Sequence, residues 1–266
     1  MDDNKKDLDN NLNDIADSET VEFSVWYYFI LNLTCFLIPL YVCLGFFLLF
    51  ECFMVQILSI PTIIHFVLLP GFLFLLYYIY LISLIEIAAI FTRRWNKQSP
   101  PTQGIFQRNF KDKKSELGRI INYYHKRGYI IKFPMWLTSK SPFPWLINRT
   151  LRRIGHNKIG NNVIYCDAYI GLEFTEIGDN TFIYPTSVLS THEVNSIFGK
   201  LSILNIKLGK NNVLYPGTVV GPGALTEDNN VFYPATILPK NWRGVAGKLN
   251  YQGSPGRPIE DSEIGK

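Results

Sequence analysis

The chain has 266 residues, which favours one or two domains, and a modest net charge of +4. Its hydrophobic residues are unevenly distributed, because between Phe23 and Phe91 the only charged residues are Glu51 and Glu86. The four cysteines lack the spacing of a disulfide framework or a metal site, and no stretch interleaves basic and aromatic residues as nucleic-acid-binding motifs do. We therefore expect no bound metal and no nucleic-acid partner.

Residues 1–22 form an acidic, asparagine-rich tail. The first twenty residues contain seven Asp or Glu against Lys5 and Lys6. Such a segment has too little apolar surface to offset the entropy of ordering, so we expect it to be disordered. It is unlike a signal peptide, because the charge before the apolar run is negative and the run is too long.

Two long apolar runs follow, Val25 to Phe50 and Ile63 to Phe91. A bilayer core of about 30 Å is crossed by roughly 20 apolar helical residues, so each run is long enough to span it. Residues 23–92 are therefore predicted to form a transmembrane helical hairpin. One span with a re-entrant segment is the alternative, because Pro39 or Pro70 could break a helix.

Basic residues predict the orientation of this hairpin. Arg93, Arg94, Lys97 and Arg108 follow the second run, whereas the loop between the runs contains no Lys or Arg. Positive residues mark the cytoplasmic side, so the tail and the domain after the second run are expected in the cytoplasm. Glu86 lies inside the second run, and we expect it to reach the interface or to pair with Arg93 or Arg94.

Residues 93–153 are predicted to be an amphipathic connector at the membrane interface. The stretch from Lys113 to Lys126 carries apolar residues at helical spacing, and its basic residues suit anionic lipid headgroups. Trp136 and Trp145 fit the same level, since an indole ring combines an apolar body with a polar N–H. A short helix over residues 144–153 leads into the next domain.

A six-residue repeat dominates residues 154–242. One column before the gap is Ile159, Tyr165, Gly171, Ile177, Ile183 and Leu189; a second is Val163, Tyr169, Thr175, Thr181 and Ser187; the period resumes at Leu208, Leu214, Val220, Thr226, Phe232 and Leu238. Each unit supplies a short strand and a corner, three units close one coil, and coils stack at roughly 4.8 Å. The pattern predicts a three-sided parallel β-helix, with residues 243–266 as a C-terminal extension.

These repeats resemble the hexapeptide-repeat acyltransferase superfamily, whose fold is a left-handed β-helix. The resemblance covers residues 154–259 and includes the terminal Tyr251–Ile259 stretch, in which Gly256 stands where the family usually has Ala. A closer resemblance is to the membrane C-terminal units of polylysine synthetase-type nonribosomal peptide synthetases. It rests on residues 141–160 and on Thr191-His192-Glu193. Both resemblances imply a homotrimer, in which three chains supply three β-helices and six spans.

The period breaks between Leu189 and Leu208, so residues 190–205 are predicted to form a loop that leaves the prism. The resemblance implies that His192 in this loop acts as a general base, since a neutral imidazole can deprotonate a hydroxyl or an amine. It implies a thioester donor, either acyl-CoA or a carrier-bound acyl group. Glu193 is expected to orient the imidazole.

Further residues are predicted to line a substrate or cofactor groove. A backbone N–H of Gly209, Gly217 or Gly221 could bind the oxyanion. The other groove candidates are Asn195, Asn205, Tyr215 and Trp242, and Lys240, Arg243 and Lys248 form a basic edge.

The sequence thus predicts an integral-membrane acyl or aminoacyl transferase acting near lipid. A noncatalytic trimeric membrane scaffold or binding module is the alternative. A small-molecule passage through the trimer is a third possibility, against which the few polar residues in the spans argue.

Overall fold

A computed structural model describes residues 25–107, 115–166, 168–171, 173–195, 199–247 and 249–260. The acidic tail lies outside the described residues. Within them the chain divides into two compact units. We call residues 25–98 and 126–155 the helical unit, and residues 99–125 and 156–260 the β-helix unit.

The helices follow the predicted order. They are α1 (Val25–Glu51), continued by a π-helical segment (Cys52–Ile57), then α2 (Thr62–Gln98), α3 (Glu116–Ser139) and α4 (Trp145–Arg153). The segments Trp26–Ile57 and Thr62–Gln98 are long and apolar enough to cross a membrane by length and composition. Neither Pro39 nor Pro70 ends its helix, so the predicted apolar helices are continuous.

An ion-pair cluster fixes α4 on α2 inside the helical unit. Arg149 Nη2 lies 3.0 Å from Glu86 Oε1, and Arg153 Nη2 lies 2.7 Å from Glu86 Oε2. Residues four apart share one helix face, so both guanidinium groups reach one carboxylate. Our prediction of Arg93 or Arg94 as the partner is wrong, because α4 folds back and brings its own arginines to Glu86.

The β-helix unit is built from very short strands. They are β1 (Gly104–Gln107), β2 (Lys158–Ile159), β3 (Ile164–Tyr165), β4 (Tyr169–Ile170), β5 (Thr175–Ile177), β6 (Phe182–Ile183), β7 (Val188–Leu189), β8 (His192–Asn195), β9 (Lys200–Ile203), β10 (Ile206–Leu208), β11 (Val213–Leu214), β12 (Val219–Val220), β13 (Val231–Phe232), β14 (Ile237–Leu238), β15 (Asn250–Gln252) and β16 (Arg257–Ile259).

The described strands of the coils stack in parallel into three sheets, one for each side of the prism. The first sheet is β2-β5-β10, the second runs β3-β6-β11-β13-β15, and the third is β4-β7-β12-β14. Strand β16 adds to the second sheet in antiparallel orientation. The predicted order of two apolar N-terminal helices followed by a three-sided parallel β-helix is confirmed, and its left hand is what the resemblance implies.

Apolar side chains fill the interior of the prism at the predicted period. Ile183, Leu189, Leu214 and Phe232 are all completely buried. The first coil departs from the predicted phase by one residue, because Ile170 pairs with Leu189 where we expected Gly171. Tyr169, predicted to be a column residue, is 45% exposed.

A second interior column consists of small polar side chains that bond the coils together. Asn212 is completely buried, and its Oδ1 accepts the backbone N–H of Asn230 at 2.8 Å. Asn157 plays the same role beside the first sheet, where its Oδ1 accepts the backbone N–H of Thr175 at 3.0 Å. These amides satisfy backbone groups that the corners would otherwise leave without partners.

One row of corners is marked by asparagines in the left-handed backbone region, with φ between 54° and 62° at Asn162, Asn180, Asn211 and Asn229. Asparagine tolerates this conformation better than most residues. Their exposed amides form a ladder, with Nδ2–Oδ1 distances of 3.1, 3.2 and 2.9 Å. The recurring Asn of the sequence repeat is thereby explained by backbone geometry.

The glycine of the same repeat is required by close coil packing. A Cβ added to Gly178 would lie 2.6 Å from the backbone of Gly209, and one added to Gly209 would lie 2.5 Å from that of Glu227. Such distances are shorter than real contacts, so only glycine fits between these coils.

Beside this glycine column, Asp179 bonds adjacent coils. Its Oδ1 accepts the Asn161 backbone N–H at 2.8 Å, and its Oδ2 lies 3.4 Å from Lys210 Nζ. The Asn161 N–H, followed by Lys210, holds the pKa of this carboxyl below its usual value. The charged form of Asp179 is therefore favoured in the folded state.

Candidate functional site

The predicted loop over residues 190–205 forms a β-hairpin where it leaves the prism. Strands β8 and β9 pair in antiparallel orientation, with His192 opposite Ile203 and Asn195 opposite Lys200. Strand β1, from far upstream, adds to the free edge of β9. Strand β9 is thus the central strand of a three-stranded sheet that projects from one corner of the β-helix.

A small hydrophobic core holds this sheet in place. Phe174, Leu201 and Ile203 are buried together, and Phe106 and Tyr124 pack against them. Alternation along β9 sends Leu201 and Ile203 to this side. The hairpin is therefore a folded element on a rigid scaffold.

His192 lies at the foot of the hairpin, partly buried. Its imidazole stands edge-on to the ring of Tyr124, with 6.0 Å between the ring centroids. Its backbone carbonyl accepts a hydrogen bond from Ser190 Oγ at 2.6 Å. The structure thus places the imidazole that the sequence predicts as a general base beside Tyr124, at the point where the hairpin leaves the β-helix.

Glu193 lies in a different environment from His192. Successive residues of a strand point to opposite faces, and the Glu193 carboxylate is 3.5 Å from Lys240 Nζ. Lys240 Nζ also donates to Ser202 Oγ at 2.5 Å. The Glu193 carboxylate thus pairs with Lys240, and its role in orienting the imidazole stays a prediction.

The two asparagine candidates lie at opposite ends of the hairpin. Asn195 is the last residue of β8, at the tip. Asn205 lies between β9 and β10, where its backbone N–H donates to Gln103 Oε1 at 3.1 Å. The fold therefore does not bring these two residues together.

The glycine candidates have their own roles in the coil stack. Gly221 donates its N–H to Leu238 O at 2.7 Å, and Gly209 donates to Thr226 Oγ1 at 3.1 Å. Both amides bond within the coil stack, and their predicted role as oxyanion donors stays a prediction. Gly217 occupies a corner with φ of 75°, where its conformation explains the choice of glycine.

Tyr215 and Trp242 belong to structural stacks. The Tyr215 ring stacks between Tyr184 and Tyr233, at centroid distances of 5.0 and 5.7 Å. Trp242 donates its Nε1–H to Gly256 O at 3.0 Å and stands edge-on to the buried Tyr251. These contacts assign Tyr215 to an outer ladder and Trp242 to the C-terminal end of the prism.

One corner of the β-helix gathers part of the predicted site. Val220 pairs with both Leu189 and Leu238, so the segments that follow them, with His192, Gly221 and Lys240, leave the third sheet at the same edge. Arg243 belongs to the next corner, where its guanidinium donates to the carbonyls of Gly223 and Trp242. Lys248 lies outside the described residues.

Sequence reasoning missed three contributors to this corner, namely Tyr124, Ser202 and strand β1. Tyr124 was assigned to an interfacial helix, and β1 is a four-residue strand that pairs with a partner far along the chain. No local pattern distinguishes such a strand, since its alternation extends over only four positions.

No protein-family model matches the sequence, and no curated protein matches it. Among solved structures the chain is similar to a maltose O-acetyltransferase from Clostridium difficile 630, with 19% identity over 52% of this chain and 86% of that one and a TM-score of 0.38.

Two further similar structures contain a bound coenzyme. A galactoside acetyltransferase in complex with coenzyme A shares 21% identity over 51% of this chain and 80% of its own, with a TM-score of 0.41. The second is a hexapeptide-repeat-containing acetyltransferase from Vibrio cholerae O1 biovar eltor, complexed with acetyl coenzyme A. It shares 15% sequence identity over 56% of this chain and 91% of its own, with a TM-score of 0.42.

The chain is thus similar to solved hexapeptide-repeat acetyltransferases, as its sequence predicts. At these TM-scores the fold assignment rests on the stacked parallel coils of the chain itself. The closer resemblance to the membrane units of polylysine synthetases stays a prediction.

Proposed function

We propose that this chain is an integral-membrane acyltransferase that uses His192 as its general base. The observation that carries the proposal is the position of His192 at the foot of a folded hairpin, against Tyr124, on a corner of the β-helix. A base must be held still relative to the reacting groups, and this hairpin is anchored by its own small core.

In the proposed reaction, neutral His192 takes the proton from an acceptor hydroxyl or amine. The acceptor oxygen or nitrogen then bonds to the acyl carbon of a thioester, and the carbon–sulfur bond breaks. The imidazolium returns its proton to the leaving thiolate, which restores the base. Acyl-CoA is the proposed donor, and a carrier-bound thioester would react in the same way.

The proposal places α1 and α2 across the membrane, with the β-helix in the cytoplasm. Their length and apolar composition support the spans, and the basic residues after α2 support the orientation. We also propose a homotrimer with closed symmetry, which would place three hairpins around one axis. The proposed acceptor is a lipid, a sugar or an amine near the inner membrane face.

The test is coenzyme A release by the full-length protein in detergent, with acetyl-CoA as the first donor and a panel of alcohols and amines. We expect His192→Asn to lower kcat by about 100-fold or more, which is the usual contribution of a general base. Lys200→Gln changes an exposed residue of β9 in the same hairpin and should retain wild-type activity, so it serves as the control for misfolding. Equal rates for wild type and His192→Asn would remove His192 from the mechanism.

A noncatalytic trimeric membrane scaffold is the second candidate. It is favoured by the engagement of the Gly209 and Gly221 amides within the coil stack. No acyl transfer from any donor by wild-type protein, together with trimers on chemical cross-linking, would support this candidate over the enzyme.

A further inference from the structure

Two helices of the helical unit present matching stripes of large side chains. On α1 the apolar members are Phe29, Leu33 and Phe36, and on α3 they are Tyr129, Phe133 and Trp136. Each set is spaced i, i+4, i+7, so each forms one helix face. The two faces line an open groove of about 530 Å³, a volume within the range of small-molecule sites.

Aromatic contacts between the helices give this groove its shape. Tyr28 stacks on Tyr129 with 4.0 Å between ring centroids, and Phe36 lies 6.2 Å from Phe133. The other rings remain open, since Trp136 is 58% exposed and Phe29 is 54% exposed. Such a surface fits a flexible hydrocarbon chain, which can follow the rings without leaving polar atoms unsatisfied.

Positive charge lies beside the apolar surface. Lys132 lines the groove at the i+3 position of its stripe, with its Nζ 5.2 Å from the centre of the Tyr129 ring. Lys126, one and a half turns earlier on the same helix, places its Nζ 5.4 Å from the Tyr27 ring centre. An apolar trough edged by ammonium groups is complementary to an amphiphile with an anionic head.

We propose that this groove binds one anionic phospholipid, with an acyl chain along the aromatic stripes and the phosphate at Lys132. The inference rests on the membrane insertion proposed above, because only a membrane-embedded helical unit meets lipid at this surface. An apolar stripe of a second copy of the chain would cover the rings but leave the Lys132 ammonium group without a counter-ion. An anionic lipid covers the rings with its acyl chain and pairs its phosphate with Lys132.

The test uses the full-length protein in vesicles that contain lipids with brominated acyl chains, which quench nearby tryptophan fluorescence. The signal of Trp136 is the difference between wild type and Trp136→Phe. We expect brominated phosphatidylglycerol, diluted into phosphatidylcholine, to quench this signal about fivefold more strongly than brominated phosphatidylcholine at the same fraction.

Two lysine variants identify the source of this preference. Lys132→Gln should abolish the preference for phosphatidylglycerol, whereas Lys140→Gln, just beyond the end of α3, should retain it. Equal quenching by the two lipids in wild type, or a preference that survives Lys132→Gln, would overturn the proposal. So would unquenched Trp136 combined with cross-links between copies at residue 133, because a second chain would then fill the groove.

Vesicle flotation separates the two levels of inference. Protein that floats with vesicles of either composition but shows no headgroup preference contradicts only the lipid site. Protein that floats with neither contradicts membrane insertion and the lipid site together.

Discussion

Replacing the buried Asn212 with alanine should destabilise the β-helix strongly. The Asn212 Nδ2 group donates to Thr226 Oγ1 at 2.8 Å and to Glu227 O at 3.1 Å, and its Oδ1 accepts the Asn230 N–H at 2.8 Å. The two hydrogen bonds that Asn212 donates are worth about 1 kcal/mol each, and loss of the third leaves the Asn230 N–H orphaned at a cost of about 1–3 kcal/mol. We therefore expect Asn212→Ala to lower the free energy of unfolding by about 3–5 kcal/mol.

Thermal unfolding followed by circular dichroism measures this effect, and at this chain length the loss corresponds to roughly 10 °C in Tm. Asn211→Gly is the matched control, because Asn211 is exposed and glycine adopts its φ of 55° without steric cost. It should cost less than about 1 kcal/mol. Equal shifts in Tm for the two variants would refute the argument that the buried amide, rather than the exposed ladder, holds adjacent coils together.

Gly209→Ala should lower Tm by several degrees more than Gly217→Ala. In the first case an added Cβ meets backbone at 2.5 Å, whereas in the second nothing lies closer than 3.6 Å and only the φ of 75° is unfavourable. Equal shifts would contradict the coil-contact explanation. The pKa of Asp179 is lowered in the folded state, so its stabilising contribution is present above about pH 4 and is lost as the pH falls through the folded pKa. The drop in Tm from pH 6 to pH 3 should therefore be smaller for Asp179→Asn than for wild type, as thermal melts at the two pH values would show. Lys240→Met should speed amide hydrogen exchange in β9, because Ser202 Oγ loses the hydrogen bond from Lys240 Nζ. Unchanged exchange rates would show that Lys240 does not stabilise the hairpin.

The repeating part of the fold could be predicted because every coil needs an apolar side chain at the same position of its hexapeptides. Ile183, Leu214 and Phe232 are apolar at one phase, and the burial of each is decided by its own hexapeptide. The first coil shows the limit of this reasoning. Tyr169 and Ile170 are both good strand residues, and only stacking on the next coil decides that Ile170 points inward.

The candidate site was predicted less completely, because its contacts join distant parts of the chain. His192 could be singled out because the family resemblance implies a base in the loop that breaks the period, but Tyr124 beside it comes from another segment. The partner of Glu86 was missed for the same reason, since Arg149 and Arg153 lie more than sixty positions away. The local sequence shows that the Glu86 carboxylate needs a positively charged partner, but it does not show which residue that partner is.

The exposed asparagine ladder has a consequence for how this solenoid can change. Its rungs are 18 positions apart within ordinary coils, yet Asn180 and Asn211 bond across 31 positions. The longer turn of chain enters and leaves at a single corner, and the stacking above and below is undisturbed. The hairpin of β8 and β9 could therefore be replaced by an insertion of different sequence and length at this corner, in evolution or by design, while the remaining coils keep their stacking.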